Sequence, residues 1–391
     1  MVAETFREEM KIYFDNAATT PQDPRVWSKM HQFHFEEFGY ANSSSVHALG
    51  IKASSAIEKA RSVIADAVQA NSDNILFLSG GSEANNWVVK SLCLEAGKNK
   101  ESFYWVTTAT EHSSLFQLVD WVRSEGGNVT LCPVDRAGRI DRTKLDELFR
   151  AKKCHLLSFS HANSETGTLQ DLSALTALAK EQGTLVHVDA CQSFLKTGIR
   201  FQDWNIDYLV LSAHKIHGPK GIGALAKKSS APLAPLILGG GQESGLRAGT
   251  LNTEGIIGFG EAVSIFTPEA QNLIHELKNG FCKRLSQVFP EVVFNGNGEQ
   301  SISSIINFRL PGYNGKKVMQ VLSRKGIFVS TGSACDSGQK TPSRTLTAMG
   351  LSAEEAFSSL RVSFSRMNEE EQVEVFMEEL KKAIQEEKRS G

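Results

Sequence analysis

Four stretches of the sequence carry residue types that could do chemistry together. LSAHKIHGPKGIGAL (211–225) puts Ser212, His214 and Lys215 just past an apolar run. Lysine is rarely the first polar group after a buried strand, and an amine held there can form a Schiff base with an aldehyde. HVDACQS (187–193) ends another apolar run in Asp189, a carboxylate that needs a cationic partner where it is buried. LSGGSEANN (78–86) joins a strand to a helix through two glycines and Ser82. Glycine lets backbone N–H groups approach an anion, and the start of a helix adds partial positive charge. STGSACDSGQ (330–339) sets Cys335 among glycine and serine, unlike a cysteine packed as a small hydrophobe. Each stretch has a plainer reading: Ser82 as a helix cap, Asp189 in a structural ion pair, Lys215 as a solvated amine, Cys335 as a loop thiol. Combined, they are the parts that pyridoxal phosphate requires. That cofactor takes a phosphate site, a lysine for its aldehyde, and an acid that keeps the pyridine nitrogen protonated so that the ring can accept electrons. Neither GxGxxG nor GxxxxGK[ST] occurs, so the glycines form neither a dinucleotide fingerprint nor a P-loop.

The elements that must position these residues alternate. Helical spacing over 52–70 is followed by a strand at 75–78 and a helix from Ser82. Strands are expected at 103–108, 128–134, 155–160, 184–189 and 207–212, with helices at 113–124, 141–148 and 171–182. Near-continuous apolar strands between helices indicate a mostly parallel sheet covered on both faces. Right-handed crossovers put the strand C-termini on one edge, where ligands bind. Beyond Gly255 the pattern changes to a long amphipathic helix (271–288), strands at 292–294, 303–309, 327–330 and 360–365, and helices at 314–325 and 368–387. This predicts three parts: a segment 1–20 packing with the small domain, a large α/β domain over 21–258, and a smaller α+β domain over 259–391 carrying the cysteine loop.

Composition excludes several classes. The chain has 391 residues, 41% hydrophobic, with 42 Lys+Arg against 44 Asp+Glu, so it lacks the basic excess of a nucleic-acid or anionic-membrane binder. No apolar run approaches the ~18 residues of a membrane helix, and MVAETFREEM is acidic where a secretory signal is basic and then apolar. A soluble, cytoplasmic protein is expected. The six cysteines are scattered, with no C-x-x-C pair and no metal-ligand spacing. Cys93, Cys132, Cys154 and Cys282 read as buried small hydrophobes.

YFDNAATTP (13–21), SGGSEANN (79–86), TEHSS (110–114), HVDACQS (187–193), SAHKIHGPKGIGAL (212–225), GGGQESGLRAGT (239–250), STGSACDSG (330–338) and SLRVSFSR (359–366) together resemble the cysteine desulfurases of the class V aminotransferase family. The resemblance runs along nearly the whole chain, and its G-S-A-C loop matches the branch with the longer cysteine loop. It implies a fold type I large domain with a mostly parallel seven-stranded sheet. It also implies a homodimer that makes alanine from L-cysteine and passes the sulfur, as a persulfide on Cys335, toward iron–sulfur cluster assembly or thiolation. By the same likeness, Lys215 would bind pyridoxal 5'-phosphate covalently, Asp189 would pair with its ring nitrogen, Gln192 would bond its ring hydroxyl, and His112 would stack on it and move protons. Gly81, Ser82, Ser212 and His214 would hold the phosphate, with Thr250 reaching over from a second subunit. Asn16 and Arg361 would bind substrate, Arg361 by its fork on the carboxylate.

The sequence departs from the family at Ser164, in HANSETG (161–167), where an Asn usually contacts the ring hydroxyl and the substrate; Asn163 or a water could substitute. Ala248 replaces a frequent Ser. The chain ends at Gly391 soon after its last helix, whereas the family uses a C-terminal tail to bind an iron–sulfur scaffold. That leaves the acceptor protein open. Rival readings are a selenocysteine lyase or cysteine/cystine C–S lyase on the same fold, a conventional aminotransferase, and a non-catalytic sulfur-trafficking protein.

Overall fold

The computed structural model describes residues 11–37, 39–296, 298–332 and 341–390. Cys335 therefore lies outside the described residues. In chain order the strands are β1 (Ile12–Tyr13), β2 (Ile75–Leu78), β3 (Tyr104–Thr108), β4 (Asn128–Cys132), β5 (Leu156–Ser160), β6 (Leu185–Asp189), β7 (Tyr208–Ser212), β8 (Gly223–Lys227), β9 (Val293–Asn295), β10 (Ile305–Arg309), β11 (Ile327–Phe328) and β12 (Ser359–Ser363).

Two compact units form: Thr20–Asn163 with Thr168–Thr267, and Met1–Thr19 with Ser164–Gly167 and Pro268–Gly391. The expected boundary at 258/259 falls inside a helix, Thr253–Ser264. That helix carries Gly255, Gly258 and Gly260, a composition that reads as a break. Glycine is there for close packing: a Cβ at Gly258 would stand 2.5 Å from Met30 Sδ, and one at Gly260 would stand 2.8 Å from Ala60 Cβ.

The larger unit is built on a seven-stranded sheet in the order β2-β8-β7-β6-β5-β3-β4. Strands β3 to β7 pair in parallel, and β8 lies antiparallel to both β7 and β2. One face packs Val106, Leu157, Val188, Leu209 and Leu211 against the helices Ala48–Ala67 and Leu172–Glu181. The other packs Trp105, Leu156, Tyr208 and Val210 against the helix Gly81–Lys98. Side chains alternate along each strand, so Asp189 and His187 share the face that meets this second helix. Asp141 and Asp171 cap their helices as the sequence suggests, each accepting a backbone N–H three residues on.

At the outer edge of β2 no strand follows among the described residues. The buried Arg61 donates to the Ile75 carbonyl at 2.6 Å, and Glu243 accepts the Phe77 N–H at 2.7 Å. The two side chains also form a bidentate ion pair at 3.0 and 2.9 Å.

In the smaller unit β12, β10 and β9 form an antiparallel sheet, and β1 pairs in parallel with β11. Phe14, Phe281, Phe308, Phe364 and Phe376 centre its core. Among the described residues no helix is long and apolar enough to cross a membrane.

Candidate active site

Within the larger unit, the residues singled out from sequence gather at strand C-terminal ends. Asp189 closes β6 and Ser212 closes β7, followed at once by a turn of 3-10 helix, Ala213–Lys215. Asp189 is 7% exposed. Its Oδ1 accepts the Cys191 N–H at 3.0 Å and its Oδ2 accepts Asn85 Nδ2 at 2.8 Å. Gln192 is buried just beyond.

Asn85 is not marked as a site residue by the sequence. It lies one turn into the helix that starts at Gly81, and it also donates to Ser114 Oγ at 2.9 Å. Ser114 in turn meets His112 Nδ1 at 2.8 Å, and its backbone N–H donates to the same nitrogen at 3.2 Å. A backbone N–H can only donate, so Nδ1 accepts and the neutral ring carries its proton on Nε2. His112 is thereby the N-cap of a short helix and is linked through Ser114 and Asn85 to Asp189. An Asn at a buried position of a polar S-E-A-N-N run is the one cue the sequence offers.

Glu111 carries no such cue. It is 3% exposed, and it accepts Thr108 Oγ1 at 2.7 Å, Ser160 N at 2.8 Å and Ser160 Oγ at 2.7 Å. It thus fastens the turn carrying His112 to the end of β5. Burial pushes its carboxyl up to about 7; the bonds from Ser160 and Thr108 pull downward, and Asp189 adds to the rise.

The anion cradle expected from sequence comprises Gly81 and Ser82, at the start of the helix Gly81–Lys98, and Ser212 and His214, at and just beyond the end of β7. Gly80 has φ 152°, a backbone angle that favours glycine, and a Cβ on Gly81 would stand 2.6 Å from Cys191 Sγ, so a glycine there lets the helix start pack against Cys191. Ser212 is buried, and its Oγ has no hydrogen-bond partner among the described residues. Burial lowers His214 to about 4, reinforced by the positive charges of Lys215, Lys220 and Lys196 and by His112. A neutral imidazole thus sits in a basic surrounding that suits an anion. The Cys191 thiol is pushed well above its ordinary value by burial and then by Asp189, which leaves it inert as a nucleophile.

Thr250 is exposed at the end of the segment 239–250. That segment is held by Glu243 and by an ion pair between Arg247 and Glu83 at 2.9 Å. Cys93, Cys132 and Cys154 are buried as expected, but Cys282 is only half-buried, at the margin of the smaller unit's core.

Asn16, Ser164 and Arg361 belong to the smaller unit. Arg361 is 1% exposed, donates to Asp15 Oδ1 at 2.6 Å and to the Ser164 carbonyl at 3.0 Å, and keeps a buried Nε with no partner among the described residues. The Asp15 pairing has no signal in the sequence beyond the D-N-A-A run before the first helix. Asn16 directs its amide donor to Tyr13 O, Ser363 O and Asn368 Oδ1; its Oδ1 is buried without a partner among the described residues. Asn163, the sequence-based stand-in for the altered position, is in the larger unit and donates to the Thr110 carbonyl at 3.0 Å.

The aminotransferase class-V family model matches residues 12–376. The chain belongs to that family, among the cysteine desulfurases. It is 36% identical over 379 residues to a cysteine desulfurase IscS of Clostridium botulinum, covering 96% of this chain and 94% of that one. A solved NifS-like protein superposes with a TM-score of 0.88 at 32% identity, over 96% of this chain and 100% of the other. A structure described as SspA in complex with cysteine gives a TM-score of 0.81 at 35% identity, over 91% of this chain and 99% of that one.

Proposed function

We propose that this class-V family member is a pyridoxal 5'-phosphate-dependent cysteine desulfurase that releases L-alanine and leaves the sulfur of L-cysteine on Cys335 as a persulfide. The observation that carries the reading is a strand-end lysine, Lys215, one strand along from a buried Asp189, in a chain 36% identical to a cysteine desulfurase.

The residues fit the cofactor. Gly81, Ser82, the orphaned Ser212 hydroxyl and His214 suit its phosphate, and Asp189, held by Asn85 and Cys191, suits a protonated ring nitrogen. Lys215 offers the amine and Gln192 a partner for the ring hydroxyl. When bound, the cofactor supplies an electron sink for bonds broken at the substrate's α-carbon.

The chain's own groups do the rest. His112, with Nδ1 committed to Ser114, presents Nε2 to the reacting groups and moves a proton there. Arg361 binds the substrate carboxylate through its partnerless Nε, and Asn16 adds Oδ1 as an acceptor. The Cys335 thiolate takes the sulfur, so cysteine plus thiol gives alanine plus persulfide with no outside oxidant. An acceptor protein, in iron–sulfur cluster assembly or thiolation, then removes it.

A homodimer is part of this reading, with Thr250 serving the partner's phosphate. It is supported by large apolar side chains left in solvent on the larger unit, Phe35 at 64%, Ile51 at 60% and Leu238 at 85% exposure.

The test is a product assay with L-cysteine. Alanine and enzyme-bound sulfane sulfur are expected in equal amounts, and pyruvate with ammonia would point to a lyase. Cys335→Ser is expected to keep the cofactor's visible absorption and form no persulfide; full turnover by that variant would remove the nucleophile assignment.

A further inference from the structure

The donors of Arg361 are unevenly used. Nη1 donates to the Ser164 carbonyl at 3.0 Å and Nη2 donates to Asp15 Oδ1 at 2.6 Å, while the buried Nε has no partner among the described residues. A carboxylate that fits an arginine bidentately takes two of its nitrogens at once, one oxygen on each. Arg25 and Asp23 show that fit elsewhere in the chain, with Nε on Oδ1 at 3.0 Å and Nη2 on Oδ2 at 2.8 Å. Asp15 takes only half of it.

The main chain is fixed on both sides of the pair. Arg361 lies at the middle of β12, opposite Asn307 on β10, and exchanges backbone hydrogen bonds with Ser330 at 2.6 and 3.1 Å. Asp15 bridges to Ser363, and its carbonyl accepts the Ala18 N–H at 3.0 Å. What is left to move is the Asp15 side chain, which is 21% exposed against 1% for that of Arg361. A carboxylate released there is taken up by water, whereas a guanidinium left alone would be a buried, unpaired charge. The arginine therefore waits for its ligand with a partner that is easily given up.

Resting on the desulfurase reading above, in which Arg361 receives the substrate carboxylate, we infer that Asp15 is a resident competitor for that carboxylate. An incoming amino acid takes Nε and Nη2 together and displaces the single bond of Asp15. Cysteine and alanine carry the same carboxylate, so unopposed binding at Arg361 would hold product as firmly as substrate. The return of Asp15 to Nη2 opposes both and favours the departure of alanine. Asp15 acts through Arg361, as a positioning residue, and it sets the affinity of the site by weakening it.

The sign of the effect is the test, because a residue that merely propped Arg361 in place would weaken carboxylate binding when removed. Holoenzyme is titrated with L-alanine, with the visible spectrum as the readout of binding, in the wild type, Asp15→Asn and Asp15→Ala. Asparagine keeps an acceptor for Nη2 without the charge, and the Kd for alanine is expected to fall about tenfold, the difference between a charged and a neutral hydrogen-bond partner. Asp15→Ala leaves no competitor and is expected to tighten binding at least as far. L-Alaninamide, which lacks the carboxylate, is expected to bind all three proteins alike. The inference is overturned if either variant binds alanine no more tightly than the wild type, or if the tightening extends equally to the amide. Arg361→Lys binding alanine as the wild type does would instead defeat the carboxylate role of Arg361, whatever Asp15 does.

Discussion

Glu111→Gln isolates the effect of one buried carboxyl on stability. The folded chain holds this acid at about 7 against an ordinary 4.5. Between those values the native state binds more protons than the unfolded chain, so this group's contribution to stability falls as pH rises from 4.5 to 7 and is flat above. At ~1.36 kcal/mol for each pH unit between the unfolded and folded values, the whole change is about 3 kcal/mol, and the part between pH 5 and pH 8 is roughly 2.5 kcal/mol. Glutamine can keep the geometry: its oxygen accepts both Ser160 donors, and its NH2 donates to Thr108 Oγ1, whose own proton turns to Thr110, 2.8 Å away. The variant has no proton to exchange. Urea unfolding of the full wild-type and variant chains at pH 5 and pH 8 therefore gives a difference in ΔG that changes by roughly 2.5 kcal/mol in favour of the variant at the higher pH. Titrating groups that do not interact with Glu111 cancel in that difference. Curves that stay parallel within about 0.5 kcal/mol would refute the argument that burial outweighs the three hydrogen bonds.

Asn85→Ala removes the donor shared by Asp189 and Ser114, and pyridoxal phosphate retention measured by equilibrium dialysis is expected to fall about tenfold, the equivalent of one lost bond to a charged group. Arg361→Lys keeps a positive charge but loses the fork that spans Asp15 and the Ser164 carbonyl. KM for cysteine is expected to rise on the order of a hundredfold with the cofactor spectrum unchanged, and an unaltered KM would remove the carboxylate role.

The sheet was legible from sequence because its strands are short apolar runs bounded by glycine or polar residues, and β2 falls where the ILFL run does. Strand β8 was absorbed into the glycine-rich motif, since GALAK has none of the β-branched or aromatic residues that signal a strand. The helix Thr253–Ser264 was hidden by the glycines that let it approach its neighbours. The helical turn Gln32–Glu36 of π type leaves no periodic trace. In the candidate site, Lys215, Asp189 and His112 stand out in the sequence because local context marks them: a charged or polar residue after an apolar strand, or within a short polar turn. Asn85, Ser114, Glu111 and Asp15 do not, because each matters through a partner that only the strand order brings near. The separation of Asn85 from Asp189 is 104 residues, and that of Asp15 from Arg361 is 346.

The pairing of Arg61 with Glu243 at the rim of β2 has a consequence for the protein in a crowded cell. An unpaired strand margin is a template on which another chain can add itself. Here two charged side chains occupy those main-chain groups, and Glu243 and the next residue, Ser244, hold left-handed backbone angles of φ 48° and 58° to do so. The strain is spent on solubility: a crosswise ion pair ends the sheet where an eighth strand from a neighbouring molecule could otherwise begin.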